Sequence, residues 1–340
     1  MTYRLLELMG SPETIKEAHD IAEEENVLGV WTDNLDKDEA VMRALVDAER
    51  TESLSDALTN RFGNEEGFRI MLFSVEATLP KPEENEDEAS EDSEEEQYIG
   101  RISREELYSN ISNSGEPDAV YIAMVVLSTL VAGVGLILND VATIIGAMVI
   151  APLLAPNVSM ALAATLGDLE LGWEALKANA VGLLTSLVIS VLMGMMFAVN
   201  PETEQIMTRT MVDLKHIIIA LAAGSAGVLA FTRGVSAAIV GVMVAVALLP
   251  PLVNVGLMLG AGYTTLALGS GILTLTNLIC INLAAILTFL VQGVRPRSWW
   301  EAKNAKKAQR IAIGIWFGLL LILAAIIWYW GEFIGPDLFS

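Results

Sequence analysis

The chain has 340 residues, of which 53% are hydrophobic, and a formal net charge of −22. That charge sits at one end: the first 117 residues hold 31 acidic and 10 basic side chains, the remainder 11 and 10. An acidic head on a nearly neutral apolar body excludes nucleic-acid binding and electrostatic docking of the head on anionic lipid, and a single cysteine, Cys280, excludes an intrachain disulfide.

The head reads strand, helix, strand, strand, helix, strand. Tyr3–Leu8 opens as a strand, and MTYRLLELMGSPE has no basic stretch followed by an apolar core, so no secretory leader is expected. Ser11 and Pro12 begin a helix that runs to about Glu25 with Ile15, Ala18 and Ala22 on one face. Val27–Thr32 and Ala40–Val46 alternate as strands, Ser53–Arg61 is a second helix, and Gly67–Ala77 is the last strand. The order βαββαβ predicts a soluble ferredoxin-like α+β domain over residues 1–80. Acid in excess over lysine fits a halophilic surface, since concentrated salt shortens the Debye length to about 3 Å and screens self-repulsion; a basic partner is the alternative use of the charge.

Residues 81–100 include EENEDEASEDSEEE, which has nothing apolar to bury and predicts a disordered, solvated linker. Ser103-Arg104-Glu105-Glu106 is a capping-box pattern and places a juxtamembrane helix within 101–117. Seven apolar spans follow, at about 119–138, 141–166, 178–199, 214–232, 235–261, 264–291 and 311–330. The 293–310 loop carries Arg295, Arg297, Lys303, Lys306, Lys307 and Arg310 against the single acid Glu301, so the positive-inside rule makes it cytoplasmic. Counting back six crossings puts the head in the cytoplasm, and the seventh span, residues 311–331, sends the C-terminus outside. Lys177 and Arg233 agree with that orientation; Arg209 and Lys215 do not.

A shift of 95 residues brings Ile144, Gly146, Met148, Val149, Leu153, Leu154 and Pro156 onto Ile239, Gly241, Met243, Val244, Leu248, Leu249 and Pro251 without a gap. Each copy holds three spans, an odd number, so the second copy enters the membrane from the opposite side. The expected architecture is an α-helical polytopic membrane protein of seven transmembrane helices, a 3+3 inverted repeat plus one extra helix, with a membrane domain at 118–292 made of repeats 118–200 and 213–292. Prolines fall near the middle of the second span in both copies. Broken spans in matching positions of two halves point to a ligand site at the midplane. The candidate ligand-binding residues are therefore Pro152, Pro156, Asn157, Ser159, Pro250, Pro251, Asn254 and Asn277. A plain proline kink, with asparagine as interhelical glue, is the competing reading. Asn179 and Asn282 are read as such glue.

Asp140 reads as a helix cap, Asp168 as interfacial, and no acid or base sits clearly at mid-membrane. Two histidines in all, His19 and His216, with no HExxH motif and no hydrolase context around Gly224-Ser225, argue against an enzyme, a metal centre or a cofactor. The run ATIIGAMVIAPLLAP with LGD after it, behind a small ferredoxin-like head, resembles the hydrophobic membrane proteins of domain-of-unknown-function family 389. That resemblance implies the architecture and transfers no catalytic residue. The expected function is a channel or secondary transporter for a small solute or ion, with the head as regulatory or assembly module. The alternative is a non-transporting sensor or scaffold. Either would sit in the lipid bilayer, and plentiful small-residue helix faces predict a homo-oligomer.

Overall fold

The computed structural model describes residues 3–75 apart from 26, 49 and 66, then 78, 103–114, 117–233, 237–295, 307, 309–322 and 324–325. The acidic linker at 81–100, most of the basic loop and the second half of the seventh span lie outside the described residues. The chain divides into two compact units, Met1–Tyr108 and Ser109–Ser340.

The first unit carries β1 (Tyr3–Gly10), α1 (Pro12–Glu24), β2 (Gly29–Asn34), β3 (Ala40–Asp47), α2 (Thr51–Phe62) and β4 (Arg69–Val75). The four strands form one antiparallel sheet in the order β2-β3-β1-β4. Alternation sets its core: Leu6 and Leu8 of β1 and Met42, Ala44 and Val46 of β3 meet Ile15, Ala18 and Ala22 of α1 and Leu54, Leu58 and Phe62 of α2. Ser11 caps α1 by accepting from the Thr14 N–H at 3.2 Å, ahead of Pro12 in the first turn. This unit reaches beyond the linker to the start of α3 (Arg104–Ser114). The predicted cap is there, with the Glu106 N–H donating to Ser103 Oγ at 3.3 Å. Buried Arg4 holds Glu106 through two bonds of 2.7 and 2.9 Å, and Arg104 donates to Asp56 at 2.9 Å. Planar guanidinium forks of this kind give geometry as well as attraction.

The second unit consists of α4 (Ala119–Ile137), α5 (Val141–Ile150), α6 (Leu154–Leu166), α7 (Leu169–Met196), the short α8 (Glu204–Met207), α9 (Leu214–Thr232), α10 (Ala237–Gly260), α11 (Thr264–Val291) and α12 (Gln309–Ile322). Among the described residues four helices (α4, α7, α9 and α11) are long and apolar enough to cross a membrane, or five if the bent pair α5/α6 is counted as one span. The 24-residue α10 adds the apolar stretch Val244–Gly260. The third predicted span begins earlier than its hydropathy suggests. Asp168 accepts from the N–H groups of Glu170 and Leu171, each at 3.0 Å, and so starts α7 at Leu169, before the apolar run.

Helices α7 and α10 pack backbone to backbone. A Cβ at Gly260 would collide with the Val191 carbonyl oxygen, and one at Gly194 with the Leu257 carbonyl oxygen. Glycine at these positions lets two apolar helices approach where lipid offers no hydrophobic drive.

The expected pair of breaks is corrected to a single one. Between α5 and α6 the chain leaves the helix at Ala151–Leu153 and bends by 50°. Ala151 takes an extended ψ of 122°, as the residue before a proline tends to do. In α10, Pro250 and Pro251 remain inside an unbroken helix. Spacing explains the difference. Pro152 and Pro156 stand four apart and strip N–H groups from successive turns of one face. Pro250 and Pro251 are adjacent and damage one turn. That turn is repaired from outside: Asn277 Nδ2 donates at 2.7 Å to the Ala247 carbonyl, the acceptor that Pro251 has no N–H to fill. The residue 95 positions before Asn277 is Gly182, which has no side chain to do the same for the first copy.

Two outcomes follow from this packing. Gly260→Val should lower stability by about 1–3 kcal/mol through overpacking, read as a fall in the melting temperature of the detergent-solubilised protein. Asn277→Ala should cost about 1–3 kcal/mol by orphaning the Ala247 carbonyl, and much less in a Pro251→Ala background, where residue 251 regains the N–H. A thermal-unfolding double-mutant cycle measures the difference.

Candidate functional site

The break in the second span leaves Pro152 half-buried and Pro156 buried in the first turn of α6. Asn157 follows, 1% exposed, and turns its amide back onto its own helix start: Nδ2 donates to the Leu153 carbonyl at 2.7 Å. Its Oδ1 accepts from Asn282 Nδ2 of α11 at 2.9 Å. Asn282 is fully buried and also donates to the Leu278 carbonyl at 2.9 Å. This pair joins residues 125 apart in sequence at the site of the break.

Ser159, also fully buried, donates to the Ile111 carbonyl at 3.1 Å. Asn254, fully buried in α10, donates to the Ile206 carbonyl at 3.2 Å and to Ser270 Oγ of α11 at 2.9 Å. Pro250 and Pro251 are buried, and Pro251 is linked to Asn277 through the Ala247 carbonyl. The four predicted polar residues thus fall into separate hydrogen-bonded groups rather than one cluster. Asn157 reaches α11 at Asn282, Asn277 meets the Ala247 carbonyl, Asn254 meets Ser270, and Ser159 is tied to Ile111. Three of these groups have a member on α11, so that helix is the polar spine of the unit. Asn282, expected as interhelical glue, donates one bond across to Asn157 and one to its own helix at Leu278. Its presence in a 28-residue helix without a charged side chain was the available signal.

In this unit Oδ1 of Asn254, Asn277 and Asn282 and Oε1 of Gln292 are buried without a donor, and Asn179 Nδ2 is buried without an acceptor. In an apolar interior each such group is costly. The polar residues at the ends of spans behave differently. Asp140 caps α5, and the Thr143 hydroxyl with the Ala142 N–H holds its carboxyl below the usual carboxylate range, so it stays ionised at neutral pH. At the start of α9 the Asp213 N–H donates to His216 Nδ1 at 3.2 Å, a helix cap. Among the described residues no group of three His, Cys, Asp or Glu side chains could hold a metal ion.

Comparison with known proteins agrees with this picture. Residues 148–283, which contain the break and Asn254, Asn277 and Asn282, match the family model described as a domain of unknown function, DUF389. The uncharacterized protein MJ0678 of Methanocaldococcus jannaschii is 36% identical over 290 residues, covering 85% of this chain and 88% of the relative. No solved structure matches the chain. With a relative similar along most of its length and the family model matching from the break through α11, the chain belongs to the DUF389 family.

Proposed function

We propose that this chain is a transport protein, a channel or secondary transporter that passes a small solute or ion at the broken second span. The observation that carries the reading is the Asn157–Asn282 bond, a buried amide pair at a helix interruption. Broken helices in lipid persist where protein or an aqueous path satisfies the freed backbone, and they recur at transporter binding sites.

The reading includes a 3+3 inverted repeat with a seventh helix. Two tethers support it beyond the sequence pattern. Ser159 binds the Ile111 carbonyl and Asn254 binds the Ile206 carbonyl, and both members of the second pair lie 95 residues after those of the first. Packing repeats as well, since α4 lies against α7 as α9 lies against α11. The head, with its strand order β2-β3-β1-β4, is proposed as a ferredoxin-like cytoplasmic module for regulation or assembly. The basic loop supports a cytoplasmic head and an outer C-terminus. A homo-oligomer, a salt-adapted surface, and the absence of any enzymatic role or cofactor belong to the same proposal.

A second reading, an oligomeric sensor or scaffold that transports nothing, draws on the close burial of Asn157, Ser159, Asn254 and Asn277. Flux separates the two. The purified full chain in liposomes should pass at least one ion or small solute above the empty-vesicle rate. Asn157→Leu should cut that rate about tenfold, the equivalent of about 1.4 kcal/mol in a barrier, while still inserting and eluting as a single species. No flux for any ion or neutral solute tested would favour the scaffold.

A further inference from the structure

Helix α3 is common to both units, since Tyr108 closes the first and Ser109 opens the second. Its first turn is gripped within the first unit. Arg4, 4% exposed, donates to both carboxylate oxygens of Glu106, at 2.7 and 2.9 Å. Arg104 donates to Asp56 at 2.9 Å and lies 3.7 Å from Glu52. Arg104 and Glu106 stand two positions apart, so they leave the helix about 200° from one another. Ion pairs of opposite polarity on opposed sides fix both the rotation and the axial position of that turn. The last turn is held within the second unit. Ile111 is fully buried, and its carbonyl belongs to the final turn, where the helix has no donor of its own. Ser159 of α6 fills it at 3.1 Å. Glu106 and Ile111 are separated by about 8 Å of helix, a single stiff rod.

The counterpart of this tether one copy later behaves differently. There Asn254 donates to the Ile206 carbonyl, and the bond joins the unbroken α10 to the four-residue α8, which follows α7 and not a folded domain. Ser159 belongs instead to α6, which the 50° bend separates from α5. The two halves also rest on different neighbours, α5 on α4 and α10, α6 chiefly on α7 and α11. A displacement of α3 can therefore move α6 without carrying α5 with it. Asn157, two residues before Ser159, holds the bond to Asn282, so that movement acts directly on the pair at the break.

We propose that α3 is a regulatory strap: a change in the head that turns or loosens the Arg4–Glu106 and Arg104–Asp56 clamp shifts Ser159 through the Ile111 carbonyl and alters the Asn157–Asn282 pair. The inference rests on the reading of the head as a regulatory module and of the break as the transport site, and it names the route by which one acts on the other.

Amide hydrogen exchange of the full chain in detergent, read by mass spectrometry, tests this. Glu106→Ala and Arg4→Met each release the clamp, one from α3 and one from the head. Both should speed exchange over residues 154–162 about tenfold, while residues 249–257, the same positions one copy later, stay unchanged. If Arg4→Met unfolds the head, seen as full exchange of β1 and β3, the release is complete and the same response at 154–162 is required. In a Ser159→Ala background exchange at 154–162 starts fast, and Glu106→Ala adds nothing to it. No change at 154–162 in either variant would overturn the proposal, as would an equal rise at 249–257 or an undiminished effect in Ser159→Ala. Flux through proteoliposomes separates this inference from the transport reading. Coupled exchange without flux of any kind would uphold the strap and remove transport. Flux with uncoupled exchange would remove the strap and leave transport standing.

Discussion

A peptide group inside an apolar bundle must find a hydrogen-bond partner within the protein, because lipid supplies none. The second unit is organised around that demand. Prolines withhold donors at two places, and the chain meets the deficit in two ways. At Pro152 the helix opens, and α6 restarts with Asn157 bonded back to Leu153. At Pro251 the helix continues, because Asn277 of α11 supplies the missing donor to Ala247. The first solution creates a discontinuity; the second removes one.

Both solutions depend on α11. It has no charged side chain, yet it carries Ser270, Asn277 and Asn282, each bonded to a different part of the bundle. An apolar helix with a polar seam gains nothing from hydrophobic drive in lipid, so its placement comes from these bonds and from close contact. Glycine supplies the contact where α7 meets α10, and also where Gly224 of α9 lies against the Ile281 backbone of α11. Four buried amide oxygens, of Asn254, Asn277, Asn282 and Gln292, are left without donors, and Asn179 Nδ2 without an acceptor.

The first unit follows a different rule. Its strands alternate, its helices present one apolar face, and its acidic surface stays in water. Stability there comes from burial of Leu6, Leu8, Met42, Leu54, Leu58 and Phe62. The two buried arginines are the exception, and both are bonded to carboxylates, Arg4 to Glu106 and Arg104 to Asp56. Those pairs bring a segment beyond the acidic linker into the unit.

Periodicity and apolar length determined the elements. They set the βαββαβ order of the head, the cap at Ser11, the apolar helices α4, α7, α9 and α11, and the vulnerability at PLLAP, because each is a property of a short stretch of chain. The sequence also contained the 95-residue pattern, including the spacing that turned out to relate Ile111–Ser159 to Ile206–Asn254. What only the tertiary structure decided was the fate of each proline and the partner of each asparagine. Pro250-Pro251 and PLLAP look equally disruptive in a string of letters. One stays helical because an amide 30 positions away reaches Ala247, and Asn157 finds Asn282 across 125 residues. Hydrogen bonds at such separations are chosen by how helices pack, and local pattern carries no information about that choice.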